Sequence, residues 1–206
     1  MNIVKFGNAN LPAASDLSAA LRRNTEAVAG GSGQIILKMD RSGHWVYGAD
    51  QTEVDRDSLW AVNPFSFVHG YIAWGEGEVA AEKMVSITEP LPEVDVAPPQ
   101  AKRGWETQIG MFVKCIEGDD NGMEARYTVT SVGGRKAMHA LAMQVADQLD
   151  KDQTHPVPVV NLTSDYYQHK AYGRVYTPVF EVQEWISLDG DDAAPVEETP
   201  ARRRRG

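Results

Sequence analysis

Residues Gln34–Gly48 read QIILKMDRSGHWVYG. Two strand-like runs flank Arg41-Ser42-Gly43, where short polar residues and a glycine allow the chain to reverse, so a β-hairpin is expected. Working outward from it, a period of two keeps returning. SLWAVNPFSFVHGYIAWG (58–75) alternates aromatic and small residues around Asn63-Pro64, which suits one or two strands with a bend or bulge. EVAAEKMVSI (78–87) is ambiguous, with a strand favoured over Met84–Ile87. WETQIGMFVKCIEG (105–118) and MEARYTVTS (123–131) read as strands joined by the turn DDNG. VPVVNLT (157–163) and RVYTPVFEVQEWI (174–186) complete the strands.

Only one segment carries a strong helical period. GGRKAMHALAMQVADQLDKD (133–152) places Met138, Leu141, Ala142, Val145 and Leu149 on one stripe, with Asp152 and Pro156 marking its exit. Before the first hairpin, residues 1–33 read as an arm with a short helix from ASDLSAALRRNTEAVA, stopped by the hinge GGSG. Between the two halves, residues 88–104 bring four prolines and mixed charge, expected as a long exposed loop or an ordered excursion. Residues 188–206 have the composition of a disordered tail, acidic first and then four consecutive arginines. The fold class expected is mainly β, an oligonucleotide-binding (OB)-like barrel with insertions over residues 34–187, with one clear helix and the short N-terminal one.

Composition narrows the function. A formal net charge of −9 speaks against gripping duplex DNA by bulk positive charge, but it leaves room for a local basic groove. The one cysteine, Cys115, can form neither an internal disulfide nor a cysteine-based zinc site, and its apolar neighbours suit a buried strand. Five scattered histidines offer no metal-binding pair, so no metal or cofactor is expected. No apolar run is long enough to cross a bilayer, and the opening residues lack the layout of a secretory signal. A cytoplasmic protein is expected, in the host cell if phage-encoded.

Catalytic motifs do not emerge. GEGEVA (75–80) matches a dinucleotide fingerprint in letters, yet Glu76 and Glu78 would repel the pyrophosphate, and the segment reads as a turn. Neither a phosphate-binding loop nor a nucleophile elbow is present, and a non-enzymatic role is expected.

Two constellations suit a polyanion. In TSVGGRKAMH, Ser131 can cap a helix whose first turn carries Arg135 and Lys136; cations there oppose the helix dipole unless an anion is near. In YYQHKAYGRVY (166–176), Tyr166, Tyr167, Tyr172 and Tyr176 mingle with Lys170 and Arg174. Rings stack on bases whatever the sequence, and cations hold phosphates. Alternation puts Tyr172, Arg174 and Tyr176 on one strand face and leaves Tyr166 and Tyr167 to a preceding loop. The competing reading has these rings filling the core with their hydroxyls at its rim. Trp45 and Tyr47 share a face of the first hairpin and form a second, weaker platform.

Taken together, WAVNPFSFVHGYIAWG, GWETQIGMF, TSVGGRKA and HKAYGRVYTPVFEVQEW resemble proteins of tailed-phage and prophage genomes, over roughly residues 34–186. The layout is similar, more loosely, to phage single-stranded DNA-binding proteins with an OB-type core and a disordered acidic tail. That resemblance implies binding of single-stranded DNA in replication or recombination, with replication or recombination proteins recruited through the tail. A homo-oligomer is compatible with it. The ending ARRRRG departs from the acidic, aromatic-tipped tails of that family and puts the recruiting role in doubt. Two other classes stay open: a phage structural or assembly protein with a β-rich domain, and a protein-binding accessory subunit.

Overall fold

A computed structural model describes residues 34–188. The short helix expected in the N-terminal arm, and the acidic tail with its arginine cluster, lie outside the described residues.

The first hairpin pairs β1 (Ile35–Met39) with β2 (Trp45–Tyr47) in antiparallel register. Its turn is held by Asp40, whose Oδ1 accepts the backbone N–H of Ser42 and of His44. Gly43 takes φ +86°, a left-handed conformation that a side chain would strain. Next come β3 (Thr52–Glu53), β4 (Leu59–Val62), β5 (Val68–Trp74) and β6 (Val79–Ser86). The Asn63-Pro64 break separates β4 from β5, because Asn63 Oδ1 accepts the N–H of Phe65 and turns the chain. Residues 79–86 form one strand throughout, where the sequence favours only the end near Met84. Alanines and a Glu-Lys pair gave that segment little strand character, and pairing with β5 supplies it.

Two long antiparallel strands, β7 (Glu106–Glu117) and β8 (Glu124–Val129), follow the Pro-rich segment. Helix α1 (Val132–Lys151) leads to β9 (Val157–His169) and β10 (Gly173–Ile186). Ser131 caps α1, its Oγ accepting the N–H of Gly134 at 3.2 Å. The Pro-rich segment is pinned to its surroundings by backbone carbonyls: Asp95 O accepts from Trp105 Nε1, Glu93 O from Lys83 Nζ and Glu89 O from His69 Nε2.

Among the described residues the strands join in one ten-stranded sheet, ordered β10-β9-β4-β7-β8-β1-β2-β3, with β5 branching from β7 and β6 paired to β5 alone. All pairs are antiparallel except β1 with β8. The sheet curls into a half-barrel. Leu37, Trp60, Val62, Met111, Val113 and Cys115 pack its inner face, and Met138, Leu141 and Val145 of α1 enter the same core. Cys115 is fully buried, and loss of water around its thiol pushes the pKa up. The helix lies against β10, one edge of the sheet. No helix among the described residues is long and apolar enough to cross a membrane.

Leu141 is 1% exposed in this core, so Leu141→Ala removes transfer free energy and leaves a cavity; urea unfolding should show a loss of about 2–5 kcal/mol. Met143→Ala, on the exposed side of the same helix, should stay within about 0.5 kcal/mol.

The exit of α1 has its own pH signature. Asp152 accepts hydrogen bonds from the Thr154 hydroxyl, from His155 Nδ1 and from the Thr154 N–H, and these hold its carboxyl down to about 2. A depressed folded-state pKa means stabilisation above the unfolded value of about 3.9, lost as pH falls through the folded value. Carboxyl NMR should find Asp152 titrating well below the other aspartates. Asp152→Asn should flatten the fall in stability between about pH 4 and pH 2.

Candidate nucleic-acid interface

β9 and β10 pair along nearly their whole length, and the register decides which rings meet. Phe180 lies opposite Leu162, Tyr176 opposite Tyr166 and Arg174 opposite Gln168. Leu162 and Phe180 belong to the core. Alternate residues share a face, so Tyr166, Tyr176 and Arg174 continue the core face past the point where the core ends. The irregularity in this ladder falls between Val182 and Glu184, beyond these residues, and does not disturb the parity.

On that face the Arg174 guanidinium lies over the Tyr166 ring, 4.2 Å from its centroid, and donates to the Tyr176 hydroxyl at 3.2 Å. The two tyrosine rings stand 5.8 Å apart at 53°. Hydrogen bonding to Tyr176 raises the Arg174 pKa further above its already high value, so its charge is permanent. The turn of the first hairpin closes over Tyr176: a Cβ on Gly43 would collide with Cδ1 of that ring and crowd Ser164 Oγ. This brings Arg41 and His44, both exposed, into the same neighbourhood.

The opposite face carries Tyr167 and His169. Tyr172 is not on β10 as alternation suggested; it sits in the three-residue turn before Gly173, whose φ of +72° closes the hairpin. Its ring stacks on His169 with centroids 4.7 Å apart. Tyr166 and Tyr167 in turn lie within β9 and not in a loop, because β9 runs on to His169. Tyr172 is 80% exposed, Tyr166 52% and Tyr167 51%, so these rings are not core. Tyr176 is half-buried, and Lys170 and Arg174 are exposed.

Helix α1 begins beside this hairpin. A Cβ on Gly133 would strike Thr177 of β10, which sets the first turn of the helix against the strand. Arg135 is partly buried, its Nε shielded from solvent with no hydrogen-bond partner among the described residues, while Lys136 is exposed. No acidic residue occupies that turn. Leaving a buried N–H unsatisfied costs about 1–3 kcal/mol, which a hydrogen-bond acceptor at this corner would recover.

Trp45 and Tyr47 do not join the cluster. Trp45 is 5% exposed, wedged between Tyr127 and Phe180, with Nε1 bonded to Thr163 O at 2.8 Å. Its indole is core, because the face it shares with Tyr47 turns inward. Tyr47 donates to Asp120 Oδ1, a bond that raises its pKa ahead of any effect of burial. It lines a shallow cleft of about 430 Å³ with Glu53, Asp55, Arg56, Asp119 and Asp120, whose net negative charge repels phosphate. Sequence reasoning read Gly43 as a turn residue only and gave His169, though among the tyrosines, no role in the site. The signal for His169 lay in its spacing of two from Tyr167; nothing local linked Gly43 to Tyr176.

No protein-family model, curated protein or solved structure matches this chain.

Gly43→Ala tests the contact between the two hairpins. It should lower stability by about 1–3 kcal/mol in urea unfolding, through the left-handed backbone and the clash with Tyr176. In a Tyr176→Ala background the cost should shrink by at least about 0.5 kcal/mol, since only the backbone part remains.

Proposed function

We propose that this chain binds single-stranded DNA without sequence preference, as a non-enzymatic protein of phage replication or recombination. The observation that carries the reading is the outer end of the β9–β10 hairpin. There Tyr166, Tyr167 and Tyr172 remain more than half exposed, and Arg174 stacks on Tyr166. Aromatic surface held in water is costly unless a ligand covers it, and flat bases cover it without regard to sequence. Arg174 spends one N–H on Tyr176 and keeps the others for phosphate. Arg135 and Lys136 lie in the first turn of α1, whose Gly133 packs on Thr177 of β10, and Lys170 is exposed at the hairpin tip. Part of the acidic charge gathers in the cleft around Tyr47.

The OB-type barrel belongs to the same proposal and draws on the curled sheet with a helix against its edge strand. Phage origin, host-cytoplasmic location and recruitment of partners by the tail rest on the sequence resemblance alone. A second reading, a structural or assembly role, draws on β6. Among the described residues that strand pairs only with β5, so its outer edge can accept a strand from another molecule.

Fluorescence anisotropy with an oligo-dT strand, at low and at physiological salt, tests the first reading. Affinity should fall as salt rises, and Tyr172→Ala should cost at least about 1 kcal/mol, or about fivefold. Arg174→Ala should weaken binding and reduce the slope of log affinity against log salt by about one contact. Absence of binding at low salt would overturn the proposal, and concentration-dependent self-association seen by sedimentation would then favour assembly.

A further inference from the structure

The tip of the β9–β10 hairpin is organised by one imidazole. His169 Nδ1 accepts the backbone N–H of Ala171 at 3.1 Å and of Tyr172 at 3.3 Å. The same ring stacks on Tyr172 at an interplanar angle of 25° and meets Tyr167 edge-on, with centroids 6.5 Å apart. A nitrogen that accepts two N–H groups carries no proton, so the ring is neutral with its hydrogen on Nε2. That nitrogen makes no hydrogen bond among the described residues.

We propose that His169 is the positioning residue for Tyr172: as neutral imidazole it ties the turn and backs one face of the tyrosine, and on protonation it lets the tip go. The inference rests on the strand-binding reading and adds its regulation by protons. Imidazolium is a donor at both nitrogens. Protonated Nδ1 would therefore point an N–H at two others, and both backbone bonds would be lost to water. A ring already held in place meets a base without first being ordered, whereas a freed ring must be ordered on binding. Tyr172 would keep its chemistry and lose its placement.

The titratable or charged groups around His169 are Tyr167 on β9, Lys170 and Tyr172 in the turn, and Arg174 on β10, on the opposite face. No carboxylate pairs with the ring among the described residues. Acidification also adds positive charge elsewhere on the chain, and added positive charge tightens phosphate binding. The two effects have opposite signs, so overall affinity does not separate them. The share of binding that depends on Tyr172 does.

The experiment uses the full chain and an oligo-dT strand of about 20 nucleotides, at about pH 8 and about pH 5.5, either side of the ordinary histidine range near 6.5. Tyr172→Ala should weaken binding about fivefold or more at the higher pH and less than about twofold at the lower. In His169→Asn, whose amide oxygen can accept the same N–H groups without titrating, the loss on Tyr172→Ala should be equal at both. His169→Phe keeps a ring without an acceptor and should show a small Tyr172 effect at either pH. By NMR, the Ala171 and Tyr172 amides should titrate together in the wild type and stay still in His169→Asn. A Tyr172 effect independent of pH in the wild type, or amides that do not titrate, overturns the proposal while leaving strand binding intact. Failure to bind oligo-dT at either pH removes the strand-binding reading, and with it the role of His169 in presenting Tyr172.

Discussion

The indole of Trp45 ties together two regions that the strand order places far apart. In that order β2 lies near one end and β9 and β10 at the other. Trp45 Nε1 nevertheless donates to Thr163 O on β9, and its ring rests between Tyr127 of β8 and Phe180 of β10. A flat sheet could not make these contacts. A buried tryptophan removes a large apolar area from water and satisfies its one N–H, so the curl is stabilised by packing and by hydrogen bonding at the same point. Once Trp45 is seated, the turn that precedes it is carried over the outer hairpin, and Gly43 comes to rest on Tyr176. The contact of Gly43 with Tyr176 is therefore a by-product of core packing, made between segments far apart in sequence.

What the sequence disclosed was what local physics controls. Asp40 to His44 and the turn before Met123 are short polar reversals between alternating runs, and both are hairpins. The stripe Met138, Leu141, Val145 is buried because a helix with that spacing has one apolar side. Less legible was any strand exposed on both faces. SDYYQH shows no apolar alternation, since past Leu162 the hairpin has left the core and neither side needs to be greasy, yet its backbone stays paired to β10. The extent of β9 thus depended on a partner that the segment's own composition does not reveal.

Site residues divide along the same line. Tyr166, Tyr176 and Arg174 meet because register sets them opposite or diagonal to one another, which chain order alone could not show. Trp45 had the same outward credentials as those rings: an aromatic residue in a hairpin, with cations nearby. Alternation says which residues share a face and is silent on which face is wet; only the position of β2 within the curl decides that Trp45 is core. The unpartnered Nε of Arg135 was likewise invisible, because it arises from the side chain being partly buried at the start of α1, beside β10.

The parallel pairing of β1 with β8 bears on how the molecule comes into being. Residue 35 of β1 lies opposite residue 125 of β8, and residue 59 of β4 opposite residue 161 of β9. Such seams join distant stretches, and closing them is slow beside the closing of a hairpin. The β7–β8 hairpin sits between the two seams and has a tight turn of its own, so growth of the sheet outward from it is the economical route. The first hairpin and the last then arrive separately, one through each seam, and touch only when both are closed. A partly folded chain can therefore hold the β9–β10 hairpin, with its tyrosines already in register, before Gly43 has come to rest on Tyr176.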